Sequence, residues 1–401
     1  MTIQTKDICI LGGGLVGGVM ALDLAQRGFR VAVVDQATPE ALLNPASDGR
    51  TTAVNLASKI YFDQLGLWPE MAPHAQSIDK ITVYEGNSPW SIHFDHQELG
   101  EDPMGFIVDN HFLRQSILNK VLHHPNITWI APASMISKRS GATKVTLYIQ
   151  PQGGEDMMEI EVSLLICAEG RHSTTRQDVG IKTYEFPYHQ RALVFSVTHE
   201  HPHENKAWEV FYPDGPLAFL PATDHKGLPR SGVVWTLPGD QGDFWKIQEN
   251  SVIEAKLKEL FPHLGAFEVC TRVWDYPLSA QLTKDVIAYR FVLIGDAAHT
   301  YHPVAGQGVN VGWRDAKLLA EILADAHSLG SDLGSSSILG NYQRQRRLDT
   351  LSILAMTDGM VRLFSNRSTI LGFLRTGGLG IINRIGPLKK FFMKRAMGKG
   401  S

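Results

Sequence analysis

The sequence predicts an α/β fold that combines a parallel sheet, an inserted antiparallel β-sheet domain and a helical C-terminus. Three observations lead to this prediction. Residues 7–36 read as an apolar strand, a helical pattern and a second apolar strand, which is the repeat unit of a parallel sheet. Residues 183–280 have strand composition broken by Pro, Asp and Gly turns, which favours an antiparallel sheet. A buried strand of the parallel type returns in residues 289–299, so the first domain resumes after the insertion.

This organisation divides the chain into four segments. The parallel-sheet domain comprises residues 1–182 and 281–358, the substrate domain residues 183–280, and a basic helical tail residues 359–401. Local patterns add further predictions, namely a polar, turn-rich excursion over residues 44–55, a short strand and a helix over 107–121, strands over 143–167, and a helix from Trp313 to His327.

The composition is that of an ordinary globular protein. The 401 residues carry a net charge of −3, with 43% hydrophobic and 20% charged residues, so no overall field favours nucleic acid. Cys9, Cys167 and Cys270 are widely spaced and are predicted to be small buried residues in a reducing compartment, not a disulfide or zinc framework. There is no apolar run of about 18 residues, and the N-terminus has no signal or transit pattern. We therefore expect a cytoplasmic protein without a metal site.

A glycine-rich turn lies between the first strand and the first helix. Gly12, Gly14 and Gly17 form a GxGxxG pattern, and Asp35 lies at the end of the second strand. Glycines allow a tight turn and the close approach of a pyrophosphate, and the helix N-terminus supplies free amides. An acid at the position of Asp35 accepts hydrogen bonds from ribose hydroxyls and repels a 2′-phosphate. These residues predict a site for FAD or NAD in preference to NADP.

A second loop, residues 295–310, decides between these dinucleotides. Gly295 and Asp296 end a strand, and a glycine-rich turn then precedes a helix; that turn contains Gly306, Gln307, Gly308 and Asn310. An aspartate here can hold ribityl hydroxyls, and the turn lets amides approach a negatively charged ring edge. We interpret Asp296 as a cofactor anchor in preference to a catalytic acid, and the loop predicts FAD.

Two histidines of the same loop are candidate general bases. No partner acid or nucleophile is spaced for His299 or His302 in the sequence. We therefore favour loop packing or local hydrogen bonding as their role over proton transfer.

These motifs together resemble a known family. The GxGxxG pattern at 12–17, CAEGRHSTTR at 167–176 and GDAAHTYHPVAGQGVNVGWRDA at 295–316 are similar to the three fingerprints of FAD-dependent class A aromatic monooxygenases. Within that class the chain resembles the ubiquinone-biosynthesis hydroxylases, through HPVAGQGVNVGWRDA, MGFIVDNHFLRQSIL at 104–118 and DGRTTAVN at 48–55. The resemblance covers nearly the whole chain and implies a Rossmann-like FAD-binding domain.

The resemblance also implies roles for individual residues. Arg50 would lie near the flavin and its phosphates, and Asn110 would face the cofactor from the start of its helix. Asp296 would hold the ribityl chain. Pro303 and residues 306–308 would line the isoalloxazine ring.

One position departs from the family pattern. The second fingerprint usually reads Asp-Gly, whereas this chain has Glu169 and Gly170. The extra methylene changes the reach of the carboxylate to a partner such as Arg176. In the family this element is associated with both FAD and the nicotinamide donor.

The implied chemistry is that of an NAD(P)H-dependent monooxygenase. NAD(P)H visits transiently and reduces the flavin, which reacts with O₂ to give a C4a-hydroperoxide that an electron-rich phenol attacks. We expect hydroxylation of the aromatic ring of a polyprenylated ubiquinone precursor in an apolar pocket that excludes water. Candidate wall residues, each read first as sheet core, are Trp208, Phe211, Tyr212, Leu217 and Phe219. No base for the phenol is singled out among Tyr212, His189 and Arg191.

The tail combines positive charge with apolar residues. No acidic residue follows Asp358, while this stretch contains Arg362, Arg367, Arg375, Arg384, Lys389, Lys390, Lys394, Arg395 and Lys399. Basic amphipathic helices suit an anionic membrane surface or an acidic partner, and a tail packed on the core is the alternative. We expect residues 384–401 to contact the inner face of the membrane peripherally. Other quinone-biosynthesis proteins are further candidate partners.

Other functions remain open at this point. One is hydroxylation of a small soluble phenol, and another is a catalytically silent flavoprotein that scaffolds a biosynthetic complex. A flavin-dependent halogenase is disfavoured because the sequence contains no WxWxIP-like stretch.

Overall fold

The fold places two glycine-rich turns at one edge of a six-stranded sheet. A computed structural model of the chain describes residues 3–44, 48–86, 91–154, 156–303, 306, 308–364 and 385–399. The order of the strands in this parallel-type sheet is Ile287–Ala288, Phe291–Leu293, Leu164–Cys167, Ile8–Leu11, Val31–Val34 and Ile127–Ile130. Every neighbouring pair is parallel except the first. Strands of this kind need a cover on both faces, which explains their continuous apolar sequence.

Long helices cover one face of the parallel sheet. They include Leu15–Gln26, Asn110–Leu122, Gly308–Ser328 and Ser336–Phe364. One core cluster joins Ile8 and Ile10 of the sheet to Leu319 and Leu323 of the helix Gly308–Ser328. This helix begins at Gly308, earlier than the predicted start at Trp313, because the glycine-rich turn itself forms the first helical turn.

A second layer covers the other face of the parallel sheet. It is a four-stranded sheet in the order Ile3–Thr5, Met158–Val162, Val145–Pro151 and Ala133–Ser140. Its buried side chains Leu147 and Ile160 pack in one cluster with Cys9 and Cys167 of the parallel sheet. The parallel sheet is therefore buried on both sides.

A large, mainly antiparallel sheet forms the other half of the molecule. It contains Lys80–Glu85, Ser91–Asp95, Thr183–His199, Lys206–Tyr212, Gly215–His225, Leu228–Pro238, Phe267–Val269, Trp274–Thr283 and His299–Thr300. The helices Gly239–Trp245 and Asn250–Leu260 lie within the same stretch of sequence. Two strands, Lys80–Glu85 and Ser91–Asp95, come from the part of the chain that precedes the predicted insertion, and Lys80–Glu85 pairs in parallel with Lys206–Tyr212. The numerical domain boundaries stay a prediction.

A small three-stranded sheet connects the two halves. Its strands are Thr51–Asn55, Gly105–Asp109 and Ala75–Ile78, in the order of the sheet. The prediction of a polar, turn-rich excursion over residues 44–55 was wrong for its second half, because Thr51–Asn55 is a strand that pairs in an antiparallel register with Gly105–Asp109. Short helices complete the described fold: Pro39–Leu42, Leu56–Gln64, Trp68–Met71, Thr174–Asp178 and Gly386–Ala396, with 3₁₀ turns at Ala72–His74, His96–Glu98, Pro262–Leu264 and Gly295–Ala297. The predicted α/β fold class with its antiparallel sheet and helical C-terminus is confirmed.

Candidate functional site

The first glycine turn is tightly packed on one side and open on the other. Gly12 has a φ of +92°, and a Cβ atom there would lie 2.5 Å from the carbonyl oxygen of Ala168. A Cβ on Gly17 would lie 1.9 Å from the carbonyl oxygen of Gly12, whereas a Cβ on Gly14 would meet no atom within 4 Å. Gly14 is the N-cap of the helix that begins at Leu15 and supplies no side-chain cap. The first-turn amides therefore lack a side-chain acceptor beside the open face of the turn, where an anion can approach.

Asp35 lies against this turn at the end of its strand. Its Oδ2 accepts a hydrogen bond of 2.6 Å from the amide of Gly13, and its Oδ1 accepts one of 2.8 Å from the amide of Ala37. Each carboxylate oxygen has a further lone pair. The carboxylate is thus held in place by the backbone and keeps acceptor capacity for a ribose.

A buried carboxylate that the sequence reasoning did not single out organises the cationic side of the site. Asp48 accepts hydrogen bonds from Nε and NH2 of Arg50 at 2.8 and 2.9 Å and from Nδ2 of Asn110 at 3.0 Å. It also accepts one of 2.5 Å from NH2 of Arg114, which lines the cavity beside the glycine turn. Burial alone would raise the pKa of Asp48, but the hydrogen bonds and charges of these partners hold it well below its ordinary value. The only signal in the sequence is that an acid stands two residues before Arg50.

Arg50 and Asn110 differ in what they leave free for a ligand. Half of the Arg50 side chain (49%) is exposed, and its guanidinium lies 5.2 Å from the centroid of the Tyr276 ring. Asn110 is buried; its Oδ1 accepts from Thr52 Oγ1 at 2.6 Å while its Nδ2 donates to Asp48. Arg50 therefore presents an oriented, accessible cation, whereas Asn110 holds the loop. Contact of either residue with a cofactor stays a prediction.

The second glycine turn presents Asp296 to solvent. Gly295 has a φ of +60°, and its amide donates to Asp315 Oδ2 at 2.9 Å. Asp296 is exposed, yet protein atoms surround it on most sides, so partial desolvation raises the pKa of its carboxyl against the lowering effect of His299 and Arg50. An accessible carboxylate that protein atoms surround on most sides can accept hydrogen bonds from a polyol chain.

His299 has a partner acid, so the premise that none is available was wrong. Its Nε2 lies 2.7 Å from Asp315 Oδ2, and both side chains are buried. Arg346 donates through Nε to Asp315 Oδ1 at 2.5 Å, and through NH1 to Asp349 at 2.7 Å. Burial would raise the pKa of Asp315, but the charges of His299 and Arg346 lower it to about 2. This network lies behind the turn and fixes its backbone, which agrees with the favoured interpretation of His299 as a residue of local hydrogen bonding.

His302 is a buried residue of the same loop. Its ring meets the ring of Tyr188 edge-on, with centroids 4.9 Å apart. Burial lowers the pKa of His302 to about 4, so the imidazole is neutral near pH 7. The loop therefore carries no positive charge at this position.

The turn that follows is fastened to the small sheet by Asn310. This buried amide accepts hydrogen bonds from Asn55 N at 3.0 Å and Ser58 Oγ at 2.8 Å, and it donates to Ala53 O at 2.7 Å and Gly306 O at 3.2 Å. All four hydrogen-bonding positions of the side chain are used by the protein. Asn310 thus shapes the loop, and its predicted contact with a cofactor stays a prediction.

The glycines around Asn310 leave backbone accessible. Gly306 has a φ of +59°, its amide donates to the carbonyl of Pro303 at 2.9 Å, and a Cβ on Gly308 would meet no atom within 4 Å. Gln307 lies outside the described residues.

The two glycine turns meet at Val16. A Cβ on Gly295 would lie 3.2 Å from this valine, and a Cβ on Gly312 would lie 2.6 Å from it. Trp313 Nε1 donates to Leu15 O at 2.9 Å and ties the two helix starts together. Two adjacent helix N-termini, an open glycine turn, an exposed aspartate and an exposed arginine form a cradle that fits an elongated dinucleotide flavin.

Glu169 caps a helix and does not reach Arg176. Its Oε2 accepts from Ser173 Oγ at 2.6 Å, and its Oε1 accepts from Thr175 Oγ1 at 2.9 Å. Arg176 instead donates to the carbonyls of Ala297 and Arg171 at 2.9 and 3.0 Å. The longer acid therefore stabilises the start of the helix Thr174–Asp178, while Arg176 links this element to the second glycine turn. Gly170 has a φ of +79° in the turn between them.

The candidate wall residues fall mainly on the far side of the large sheet. Trp208, Leu217 and Phe219 are buried in a cluster with helix residues Ile253 and Leu257. This placement agrees with their reading as sheet core. Among the residues considered for phenol activation, Arg191 is paired with Asp275, and the ring of Tyr212 packs at the border of the same cluster. His189 has a φ of +55°, in the bulge where Thr183–His199 changes register.

Comparison with known proteins identifies the family of the chain. A family model described as an FAD binding domain matches residues 5–354. The chain belongs to the FAD-binding monooxygenase family. The enzyme is 39% identical over 396 residues to the ubiquinone hydroxylase UbiL of Rhodospirillum rubrum, covering 98% of this chain and 90% of the relative. It is 32% identical over 400 residues to the 3-demethoxyubiquinol 3-hydroxylase of Escherichia coli, covering 99% of this chain and all (100%) of that protein.

Solved structures agree with the observed fold. The p-nitrophenol 4-monooxygenase PnpA of Pseudomonas putida superposes with a TM-score of 0.77 at 19% identity, over 99% of both chains. The family model and the two relatives confirm the predicted cofactor FAD and the predicted aromatic monooxygenase class. None of the helices in the described part of the chain is long and apolar enough to cross a membrane.

Proposed function

We propose that this monooxygenase hydroxylates the aromatic ring of a polyprenylated ubiquinone precursor, with NAD(P)H as the transient electron donor and O₂ as the oxidant. The observation that carries this proposal is the near-complete alignment with two relatives whose names both specify ubiquinone-type substrates, at 39% and 32% identity. The family membership alone would fit many phenols. The substrate class therefore rests on these relatives.

The residues that we place at the cofactor form two groups, one at each end of the dinucleotide. Gly12, Gly14, Gly17 and Asp35 would hold the adenosine and pyrophosphate end, as the open face of the turn and the fixed carboxylate favour. When bound and reduced, the flavin supplies activated oxygen to an electron-rich ring, and the chemistry beyond that is positioning and exclusion of water.

The flavin end of the cradle has its own candidates. Arg50 would meet the phosphates, Asp296 the ribityl hydroxyls, and the backbone of Pro303, Gly306 and Gly308 the ring. Three further residues would shape the site without contacting the cofactor through their side chains, because those side chains are hydrogen-bonded to protein partners: Asn110, Asn310 and Glu169.

The proposal is tested by expressing the chain in strains that each lack one aromatic-ring hydroxylase of ubiquinone biosynthesis. Restoration of ubiquinone in one strain, with loss of the quinone intermediate that accumulates there, is the expected result and also identifies the ring carbon. A G14A variant serves as the matched control because its methyl group would meet no protein atom within 4 Å but would occupy the open side of the turn, where we place the pyrophosphate. Failure to restore any strain, with holoenzyme present, would contradict the proposal.

The two open alternatives give different results. A hydroxylase of small soluble phenols would turn over such compounds with coupled NAD(P)H consumption and leave all strains uncorrected. A silent scaffold would bind FAD but show no substrate-stimulated oxidation of NAD(P)H.

We further propose a peripheral contact of the C-terminal helix with the inner face of an anionic membrane. The helix Gly386–Ala396 docks one side on the core, where Met393 is buried and Lys389 pairs with Glu98 at 2.5 Å. Its other side exposes Phe391 (57%) together with Lys390 and Lys394. An exposed aromatic ring between lysines suits a surface of anionic headgroups.

Co-sedimentation with vesicles containing anionic lipid tests this contact. The double variant K390E/K394E is expected to lose binding that the wild-type chain shows, and K258E, which changes an exposed lysine of the helix Asn250–Leu260, should not. Equal binding by the double variant and the wild type would contradict the proposal. Residues 365–384 of the tail lie outside the described part of the chain.

A further inference from the structure

One face of the large sheet packs against helices, and the other faces the cofactor cradle. In Lys206–Tyr212, Trp208 and Val210 pack against the helix Asn250–Leu260. Because side chains alternate along a strand, Glu209 lies on the opposite face with Ala207. Ala207 packs there with Leu56 and Ile107, which belong to the elements around the small sheet.

Contacts further along the same face identify what it looks toward. Gly232 lies on this face, and a Cβ there would lie 3.1 Å from Oγ1 of Thr51, the residue after Arg50. Trp274 pairs with Val194 on the same face, and its indole nitrogen would lie 2.0 Å from a Cβ on Gly49. The face that carries Glu209 is therefore the one that borders the Arg50 segment.

Glu209 is an isolated carboxylate among apolar neighbours. It pairs across the strands with Ala218 on one side and Val83 on the other. Among the described residues it has no hydrogen-bond or ion-pair partner, and its side chain is surrounded by protein while keeping some access to solvent. A carboxylate enclosed by apolar neighbours without a partner costs free energy, which favours a functional role over a purely structural one.

Among the described residues, no charged group on the elements packed around Glu209 compensates for the burial of its carboxylate. The titratable side chain on the same face of the adjacent strand is Glu85. It lies two residues beyond Val83, the partner of Glu209, and is paired with Phe211. The docked C-terminal helix contributes Lys389, which is paired with Glu98. Desolvation raises the pKa of Glu209 to about 7, and no charge counters it. A carboxyl with this proton affinity exchanges a proton readily at neutral pH.

We propose that Glu209 is the group that accepts the proton of the substrate's phenolic hydroxyl during ring hydroxylation, an inference that rests on the proposed function. The phenol O–H bond breaks and a new O–H bond forms on the carboxylate. The released electron pair moves into the ring, whose nucleophilic carbon forms a bond to one oxygen atom derived from O₂ as the O–O bond breaks. The other oxygen atom leaves as water, and NAD(P)H is the source of the two electrons. The hydroxylated carbon then loses its hydrogen as a proton to water, and Glu209 returns its proton to the ring oxygen, which restores the aromatic hydroxyl.

Three variants of the FAD-loaded enzyme separate proton acceptance from simple packing. E209Q keeps the shape and a hydrogen-bond acceptor but cannot take a proton, and E209L removes both. E268Q is the matched control, because Glu268 is exposed on the strand Phe267–Val269 of the same sheet. The probe ligands are a phenol with one prenyl group and its methyl ether.

The expected results concern rate, pH and binding. E209Q should hydroxylate the prenylated phenol about 10²–10⁴-fold more slowly and lose the fall in rate below about pH 7, while it binds the phenol nearly as well as the wild type does. E209L should lose the preference for the phenol over its methyl ether, measured through the absorbance change of the oxidised flavin. E268Q should match the wild type. An E209Q enzyme with wild-type rate and pH profile would overturn the proposal.

A spectroscopic measurement on the wild-type enzyme does not depend on turnover. With ¹³C-labelled glutamate, one carboxyl resonance, absent from E209Q or assigned by selective labelling, should titrate near pH 7 and shift its midpoint when the prenylated phenol binds. A midpoint in the ordinary range that the phenol leaves unchanged would overturn the proposal. If the wild type binds the phenol in this way but hydroxylates no phenol, the proposed function fails and the assignment of Glu209 as a proton acceptor for bound phenol survives.

Discussion

Nε2 of His299 lies 2.7 Å from Oδ2 of Asp315, and both side chains are buried beneath the second glycine turn. The same carboxylate oxygen accepts from the amide of Gly295, and the other oxygen accepts from Arg346. One carboxylate thus connects the turn that carries Asp296 to two helices. The backbone of the turn and a neighbouring side chain therefore share one anchor.

Replacement of Asp315 by Asn should destabilise the protein by about 3–5 kcal/mol, because Arg346 would remain buried without its carboxylate. The measurement is the free energy of unfolding of the FAD-loaded enzyme by denaturant. D325N is the control, since Asp325 is exposed on the same helix and should change stability by no more than about 0.5 kcal/mol. A D315N protein as stable as D325N would show that the network does not hold the turn.

Gly14 and Gly12 should respond differently to alanine. G14A should bind FAD about tenfold or more weakly while its apoprotein unfolds at nearly the wild-type temperature, because the added methyl group meets open space that the pyrophosphate would use. G12A should lower the stability itself, since its Cβ would clash with Ala168 at a positive φ. Isothermal titration with FAD and thermal unfolding of the apoproteins separate the two effects, with G340A as the control, at a helical position where a Cβ would meet no atom within 4 Å. Equal FAD affinity of G14A and the wild type would contradict the placement of the pyrophosphate.

Loss of the Asp48 charge should weaken FAD binding without removing any group that we place against the cofactor. In D48N the guanidinium of Arg50 loses its bidentate partner and Arg114 loses its charge partner. We expect an affinity for FAD reduced by about tenfold, measured by fluorescence quenching of the flavin. D63N is the control because Asp63 forms an ordinary surface pair with Lys59 at 2.6 Å. An unchanged affinity of D48N for FAD would mean that FAD binding does not depend on the orientation of Arg50 by Asp48.

His302 should make the protein less stable in mild acid. The folded-state pKa is about 4, below the ordinary value of about 6.5, so the unfolded chain binds a proton that the folded chain does not. The stabilisation is complete above about pH 6.5 and is lost as the pH falls toward about 4, a loss of roughly 3 kcal/mol. H302Q should flatten this part of the stability curve, measured by denaturant unfolding at a series of pH values. H123Q, at an exposed histidine, should retain the wild-type slope. An unchanged slope in H302Q would assign the acid sensitivity to other groups.

Local patterns in the sequence were sufficient for the fold class, the glycine turns and the family. Strands buried on both faces, such as Ile8–Leu11, need continuous apolar residues, and a turn that a pyrophosphate approaches needs glycine, so both leave a mark within a short window. Asp35 directly follows a buried strand and Asp296 comes three residues after one, which is why the sequence also singled them out as candidate cofactor ligands. The sequence by itself thus determined which chemistry the chain performs and where along the chain its two glycine-rich turns lie.

Only the tertiary structure decided which charged groups act together. Asp48 meets Arg114 across 66 residues, and Asp315 meets Arg346 across 31, and no spacing rule links such pairs. Likewise Lys80–Glu85 joins the large sheet through pairing with a strand more than a hundred residues later. Glu209 reads as an ordinary polar residue of a strand until the sheet shows which face it occupies. A contact between distant residues depends on the path of the whole chain, and the composition around either partner does not record it.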